Sequence, residues 1–513
     1  MKKRMKQLAA LAAAAMLVLG GCADKSAKPA VEEPPAEIQQ TAEPEEAPAE
    51  ETEKELNPLS IHVDTKNKTY YFENGEDAYL YLQYCNVTVE GDGYENLKRN
   101  IENWSLERSE GLRSLYNSFE ESAAEEAEGN EEFDGYSLYE NVSVARSDER
   151  IVSLLDETWE YTGGAHGSSY REGINFDAQN GKQLTLPELF TDYENFKEDA
   201  IDHIVYDLQE NYGEELFEDY AEAVEGLWKG DMEPAWYLDG SGIVIVLQEY
   251  SVGPYSMGIP EIHLSYSEFK QYIKEAYLPG TVEGIARFDK NEEIFLRLPE
   301  QTEEYPMMLQ CEWKDEIQNC SLWLGQSQKK LDDFATLNGA YLVRSEGEVF
   351  CLVEVDMGSD DCVTYVYRLT DGVIQDIARI EGAVDTGNMN TREIVMKSYV
   401  YLLGTYSGVK TYIFDGNGGF STADTEYKLW QNEYVLTTKA DLPVTLDGVQ
   451  STLPAGSRII LNATDDETYV TFTIQETGQT GVLNVQRSED DYNQITINGM
   501  SENDCFETLP YAG

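Results

Sequence analysis

Helix-compatible spacing runs out near Leu278-Pro279-Gly280, and that change of texture outlines the fold. Upstream, apolar residues at three- and four-residue steps alternate with strand-like runs. Leu97, Ile101, Trp104, Leu112, Leu115 and Phe119 predict one amphipathic helix, and Phe196, Ala200, Ile201, Ile204, Val205 and Leu208 predict a second. Thr185-x-x-Glu188 and Ser265-x-x-Glu268 have the form of capping boxes. The first opens a short turn, the second a helix carrying Phe269, Tyr272, Ile273 and Ala276. Strands are expected at 61–72, 86–90, 151–161, 243–250 and 261–264. Helices and hairpin strands mixed without regular βαβ spacing indicate α+β.

Downstream almost everything reads as strand. Runs at 340–344, 349–356, 362–369 and 373–380 are joined by Glu346-Gly347, Gly358-Ser359 and Asp371-Gly372 turns, an antiparallel meander, and 399–405 with 409–414 gives a further hairpin. A propeller needs at least about four blades of roughly 40 residues, which this region is too short to supply. A small open sheet or sandwich is expected instead. In the tail, short strands near 434–437, 458–463, 468–475, 482–486 and 495–497 accompany Leu453-Pro454-Ala455-Gly456, Tyr469-Val470 and Gly481-Val482-Leu483. That arrangement resembles a bacterial SH3-like barrel, a module that often contacts cell-wall components or serves as a spacer.

The amino terminus concerns location. Lys2, Lys3, Arg4 and Lys6 precede an apolar run from Leu8 to Leu19, and Leu19-Gly20-Gly21-Cys22 follows the pattern of a lipoprotein cleavage site. The run is too short to span a bilayer, which takes about 20 residues as a helix. Cys22 is thus the predicted lipidation site and the predicted link to a membrane. Residues 23–57 are rich in Glu, Pro and Ala and read as a disordered acidic tether. The expected organisation is a signal at 1–21, lipidated Cys22 and tether at 22–57, an α+β sensor-like domain at 58–279, a β-rich antiparallel domain at 280–430 and an SH3-like barrel at 431–513. The protein is expected outside the cytoplasm, lipid-anchored, on the outer face of a Gram-positive-type cell.

The chain carries a net charge of −60. Such a field repels nucleic acid and anionic headgroups and speeds encounter with a cationic partner, although solvation alone also accounts for it. Beyond Cys22 there are six cysteines. Cys351 and Cys362 flank a turn signal, and Cys311 and Cys320 have similar spacing, so both pairs are disulfide candidates across hairpins. The four histidines, His62, His166, His203 and His263, are not paired at metal-ligand spacing, and neither G-x-S-x-G nor a phosphate-cradling loop occurs. No catalytic residue, cofactor or metal site is predicted.

Tyr161-Thr162-Gly163-Gly164-Ala165-His166-Gly167 is followed by Ile174-Asn175-Phe176, Asn180-Gly181-Lys182, Leu184 to Phe190, and Tyr250-Ser251-Val252-Gly253-Pro254-Tyr255 with Gly258. In this order the set resembles a bacterial extracytoplasmic domain of unknown function. That domain forms the outer half of the lysozyme-sensing anti-sigma factor RsiV and also accompanies a peptidoglycan deacetylase domain. The resemblance covers roughly residues 59–278. It implies an α+β domain outside the membrane and, in one branch, a receptor for lysozyme, a commonly basic protein that an acidic surface would suit. The chain departs from both relatives. A lipid anchor replaces the transmembrane helix, and the deacetylase pattern of Asp-Asp with His-x-x-x-His is missing, so neither anti-sigma release nor deacetylation carries over.

Tyr161, Gly163, Gly164 and His166 in the glycine-rich loop, with Tyr250 and Tyr255, are the candidate ligand contacts, since binding residues favour loops on a rigid scaffold. The plainer readings are a tight turn around His166 and core packing for the tyrosines. The expected function is noncovalent binding at the envelope, to lysozyme, another cationic protein or peptidoglycan. An unrecognised wall hydrolase and a structural or chaperone-like spacer are the alternatives.

Overall fold

The computed structural model describes residues 58–511 apart from 73–76, 131–132, 230–232, 315–316, 333, 359–360, 431, 433 and 489–493. The signal-like run, Cys22 and the tether lie outside the described residues. Among the described residues no helix is long and apolar enough to cross a membrane.

Strand β1 (Ser60–Tyr71) pairs antiparallel along its length with β2 (Ala78–Glu90). Helix α1 (Glu95–Ala127) returns the chain so that β3 (Tyr136–Asp148) runs parallel to β2, as Leu80↔Tyr136 to Gln83↔Tyr139. β4 (Ile151–Tyr161) and β5 (Ser168–Asp177) extend the sheet antiparallel. α1 buries Leu97, Ile101 and Phe119, half of the expected stripe, together with Ala123, while Trp104, Leu112 and Leu115 are half-buried. At mid-helix the inward position is Arg108, whose side chain is 7% exposed.

Helices α2 (Tyr193–Tyr212) and α3 (Tyr220–Gly226) pack with a three-stranded sheet of β6 (Ala235–Leu238), β7 (Gly242–Val246) and β8 (Glu261–Ser265) around a second core that includes Phe196, Ile204 and Ile245. The capping box at Thr185 and Glu188 forms over Leu186–Leu189. The one at Ser265 does not produce the expected helix to Ala276. Helix α4 (Tyr266–Phe269) stops after four residues, because Ile273 bridges to Phe190 and the Lys274 amide donates to the Leu189 carbonyl, and the Ser265 hydroxyl engages Ser267.

Strands from both sides of position 280 share one sheet. β9 (Gly284–Arg287) pairs with the carboxyl end of β3, as Arg146↔Ala286. A separate four-stranded sheet follows, β10 (Ile294–Arg297), β11 (Glu304–Lys314), β12 (Ile317–Leu324) and β13 (Ser327–Leu331). Next comes the predicted meander of β14 (Thr336–Ser345), β15 (Glu348–Asp356), β16 (Cys362–Thr370) and β17 (Val373–Glu381), with β14 on the free edge of β9. Glu346-Gly347 and Asp371-Gly372 make its turns with all four residues at positive φ, the form that matches strand twist. β18 (Ala383–Asn390) then returns to β1, pairing Ser60↔Asn390 to His62↔Asn388, and continues into β19 (Glu393–Val400) and β20 (Tyr406–Phe414).

In the tail, strands Leu442–Leu446, Val449–Leu453, Arg458–Thr464, Tyr469–Ile474 and Thr480–Asn484 are antiparallel and enclose Leu436, Leu461, Phe472 and Leu483. The hairpin at 442–453, turned by Asp447-Gly448 at positive φ, was not anticipated from the sequence.

The two cysteine pairs part company. Cys311 lies directly opposite Cys320 on β11 and β12 with Cα atoms 4.2 Å apart, and the two form a disulfide. Cys351 and Cys362 are not bonded to each other. The β15–β16 register places Tyr367 opposite Cys351 and Asp356 opposite Cys362. Cys351 is a buried thiol in the core, and Cys362 accepts from Asn338 Nδ2 at 3.1 Å.

Candidate functional site

The glycine-rich loop joins β4 to β5 at one end of the amino-terminal sheet. Gly163 and Gly164 have φ of +85° and +106°, so they serve the turn, and the Gly164 carbonyl accepts from the Tyr161 hydroxyl at 3.2 Å. Gly167 serves a close approach instead. A Cβ there would stand 2.7 Å from the Trp159 indole and 2.6 Å from the Glu160 carbonyl, so the loop lies against the indole.

The segment after β7 meets this loop. Glu249 accepts from the Ser169 amide at 3.1 Å, and Gln248 exchanges hydrogen bonds with the Arg171 backbone, so these two side chains continue the edge of β5. Tyr250 follows with φ of 62°, a left-handed backbone that a bulky residue rarely adopts.

The loops bring His166, Tyr250 and Tyr255 together. The His166 ring stacks on Tyr255 with centroids 3.7 Å apart and planes at 16°, and Tyr250 lies 6.1 Å from Tyr255. His166 Nδ1 is 2.7 Å from the Gly167 carbonyl and must carry the proton there, which leaves Nε2 to accept from the Tyr250 hydroxyl at 3.4 Å. Both ring nitrogens are engaged locally. Tyr250 is 52% exposed, which replaces the core-packing alternative for this tyrosine.

Aromatic rings continue across the sheet from this cluster. Tyr161 stacks parallel to Trp159 at 6.3 Å, Trp159 meets Tyr139 at 5.3 Å, and Tyr139 stacks on Tyr81 at 4.7 Å. The file crosses β4, β3 and β2 on the face opposite α1, and all four residues are partly exposed. Lower on the same face, β6 and β7 cover the sheet through Leu155, Tyr237 and Val244. Tyr81, Tyr139 and Trp159 were not anticipated. Their signal is the two-residue step from Trp159 to Tyr161, which puts both on one strand face. Beside the rings Glu157 is paired with Arg171 at 2.9 Å, and on the opposite face of β4 burial raises the pKa of Glu160.

Two other clusters bear on catalysis. Arg108 grips Asp156 through Nε and Nη2 at 2.5 Å each and Glu140 through Nη1 at 2.7 Å, and the Tyr116 hydroxyl donates to the second Glu140 oxygen. The carboxylates converge on a guanidinium under α1, a closed ion network. Ser241, His263 and Asp239 also meet, with Ser241 Oγ 3.5 Å from His263 Nδ1, but the hydroxyl donates to Asp239 at 2.8 Å inside the β6–β7 turn, where Ser241 is buried. This is a capped turn. Among the described residues no group of three or more His, Cys, Asp or Glu side chains is arranged to hold a metal ion.

Comparison with known proteins divides the amino-terminal region. Residues 78–169 match the family profile described as deacetylase PdaC, and residues 187–267 match the one described as a protein of unknown function, DUF3298. No curated protein matches the chain. Among solved structures, a DUF3298 family protein from Pseudomonas aeruginosa PAO1 is 22% identical, covering 44% of this chain and 98% of its own, with a TM-score of 0.32. A DUF3298 member from Bacteroides fragilis is 21% identical, covering 42% and 94%, also with a TM-score of 0.32. The two matched segments mark a bacterial envelope-type region of unknown function.

Proposed function

We propose that this chain is an extracytoplasmic protein, lipid-anchored through Cys22, that binds a basic protein such as lysozyme noncovalently at the cell envelope. The observation that carries the reading is the cluster of exposed His166 and Tyr250 with half-buried Tyr255, beside the ring file. Tyrosine supplies large, rigid contact area with a polar tip, as interface anchors do. A net charge of −60 adds long-range attraction for a cationic partner. The likeness to RsiV-type receptors points the same way.

Calorimetry of the purified chain with lysozyme, at low and physiological salt, tests this. Submicromolar binding that survives physiological salt, and that Tyr255→Ala weakens by about tenfold or more, is expected. Binding that disappears with salt reflects charge alone and overturns the reading.

The file from Tyr81 to Tyr161 favours a second ligand class, wall glycan, because flat rings pack against the apolar faces of sugars. In that reading the terminal region, 431–513, is the SH3-like barrel and adds a wall contact. Sedimentation with purified peptidoglycan separates the two. In either case the chain binds without cleaving, so incubation with purified wall should release no soluble fragments.

A further inference from the structure

A cavity of about 300 Å³ lies between the β3–β4 turn, the segment around 278–286, and strands β10 and β14. Four arginines line it, in a chain with 37 basic and 97 acidic residues. Arg297 is paired with Glu304 at 3.1 Å and Arg146 with Asp148 at 2.7 Å, whereas the other two give their hydrogen bonds to carbonyls. Arg150 gives Nη1 to the carbonyls of Glu275 and Leu278, at 3.1 and 3.0 Å. Arg344 gives Nη2 to the Arg297 carbonyl at 3.0 Å. Arg146, 1% exposed, directs Nε to Asp148 and Nη1 to the Tyr266 hydroxyl and Tyr277 carbonyl, and its buried Nη2 has no hydrogen-bond partner.

Burial pulls Arg344 down to about 10, and the nearby charge of Asp148 only partly offsets it. A guanidinium removed from water without a carboxylate of its own is costly to keep charged, and an orphaned N–H beside it adds to the cost. An oxyanion in the cavity supplies Arg344 with the partner it lacks. We propose that this cavity binds a compact oxyanion, a carboxylate or phosphate group on a small molecule, held by Arg150 and Arg344. The guanidinium fork matches both oxyanions, and Phe295 and Leu278 in the same wall suit a short organic part. The volume is at the low end of small-molecule sites, roughly 300–1,000 Å³. Gly280 is part of the construction, since a Cβ there would press on the Arg150 guanidinium at 3.0 Å. This site is separate from the aromatic cluster and does not depend on its ligand.

Titration of the full chain with inorganic phosphate, with N-acetyl-alanyl-alanine and with the same dipeptide amidated at its carboxyl end tests the proposal. One oxyanion probe should bind saturably with a Kd below about 1 mM, and the amidated dipeptide should not. Arg344→Gln and, as an independent variant, Arg150→Gln should each weaken that binding about tenfold or more while circular dichroism is unchanged. Binding of phosphate alone assigns a phosphate ligand, and binding of the free dipeptide alone assigns a carboxylate. Saturation by neither probe, or equal binding by both folded variants, overturns the proposal.

Discussion

Arg108 sits where a helix facing a sheet would ordinarily place an aliphatic side chain, and it carries two strands' worth of buried charge. Glu140 is only 1% exposed, and burial raises its affinity for a proton despite the guanidinium beside it. Replacing Arg108 by Met should therefore cost about 3–5 kcal/mol by urea unfolding at neutral pH, because both carboxylates lose their counter-ion. In that variant the folded-state carboxylates hold protons above the unfolded pKa. Acidification then adds stability to the variant, and its deficit should shrink as the pH approaches about 4–5. None of this was legible in the sequence: Arg108 reads as solvated because its partners lie 32 and 48 residues away. His166, Tyr250 and Tyr255 were legible, since glycines and a tyrosine-proline pair mark loops, but their stacking was not. Gly167→Ala should push the loop that carries His166 away from Trp159, weakening ligand binding severalfold with little change in overall stability. Paired binding and thermal-melt measurements check it.

At the scale of elements, the meander's hairpin turns were well read, because an Asp-Gly or Glu-Gly pair fixes both register and twist locally, whereas the same signal at Asp447-Gly448 was missed. Cys311 and Cys320 show the reach of such reasoning and Cys351 with Cys362 its limit: displacing a turn by a few residues changes every partner. Contacts between layers have no such local mark. A Cβ on Gly173 of β5 would fall 1.9 Å from the Trp236 carbonyl of β6, so Gly173→Ala should force the two sheets apart. A loss of about 1–3 kcal/mol is expected, read as a lower thermal midpoint. The turn from Thr464 to Tyr469 provides a pH-dependent counterpart. Burial pushes Asp465 up, but the Thr468 hydroxyl and the amides of 467–469 outweigh it and hold its pKa below the ordinary value. Its stabilising contribution is present above the unfolded pKa near 4 and is lost as the pH falls through the folded one. Asp465→Ala should thus lower the midpoint at pH 7 and make progressively less difference below about pH 4.

Over the whole molecule, the texture change at 278–280 marks where helices give way to strands, yet hydrogen bonds cross it. β9 covers the edge of β3, and β18 covers the edge of β1, with more than 90 residues of chain between those two strands. Sequence patterns register local periodicity, and such distant pairings leave no periodic trace. Cutting the chain after residue 279 should therefore leave two open edges on the amino-terminal sheet. The fragment is expected to associate or melt well below the full chain, which light scattering and thermal melting would reveal.

The position of β1 has a mechanical consequence. It enters the fold at Ser60, where Ser60 to His62 lie between β2 and β18, and it pairs with β2 along its whole length. Tension applied at the amino terminus along this strand loads many backbone hydrogen bonds in parallel, as a rope is gripped along its length. Rupture then requires breaking the ladder together, so β1 should act as a force-bearing clamp and not as a zipper that peels one bond at a time.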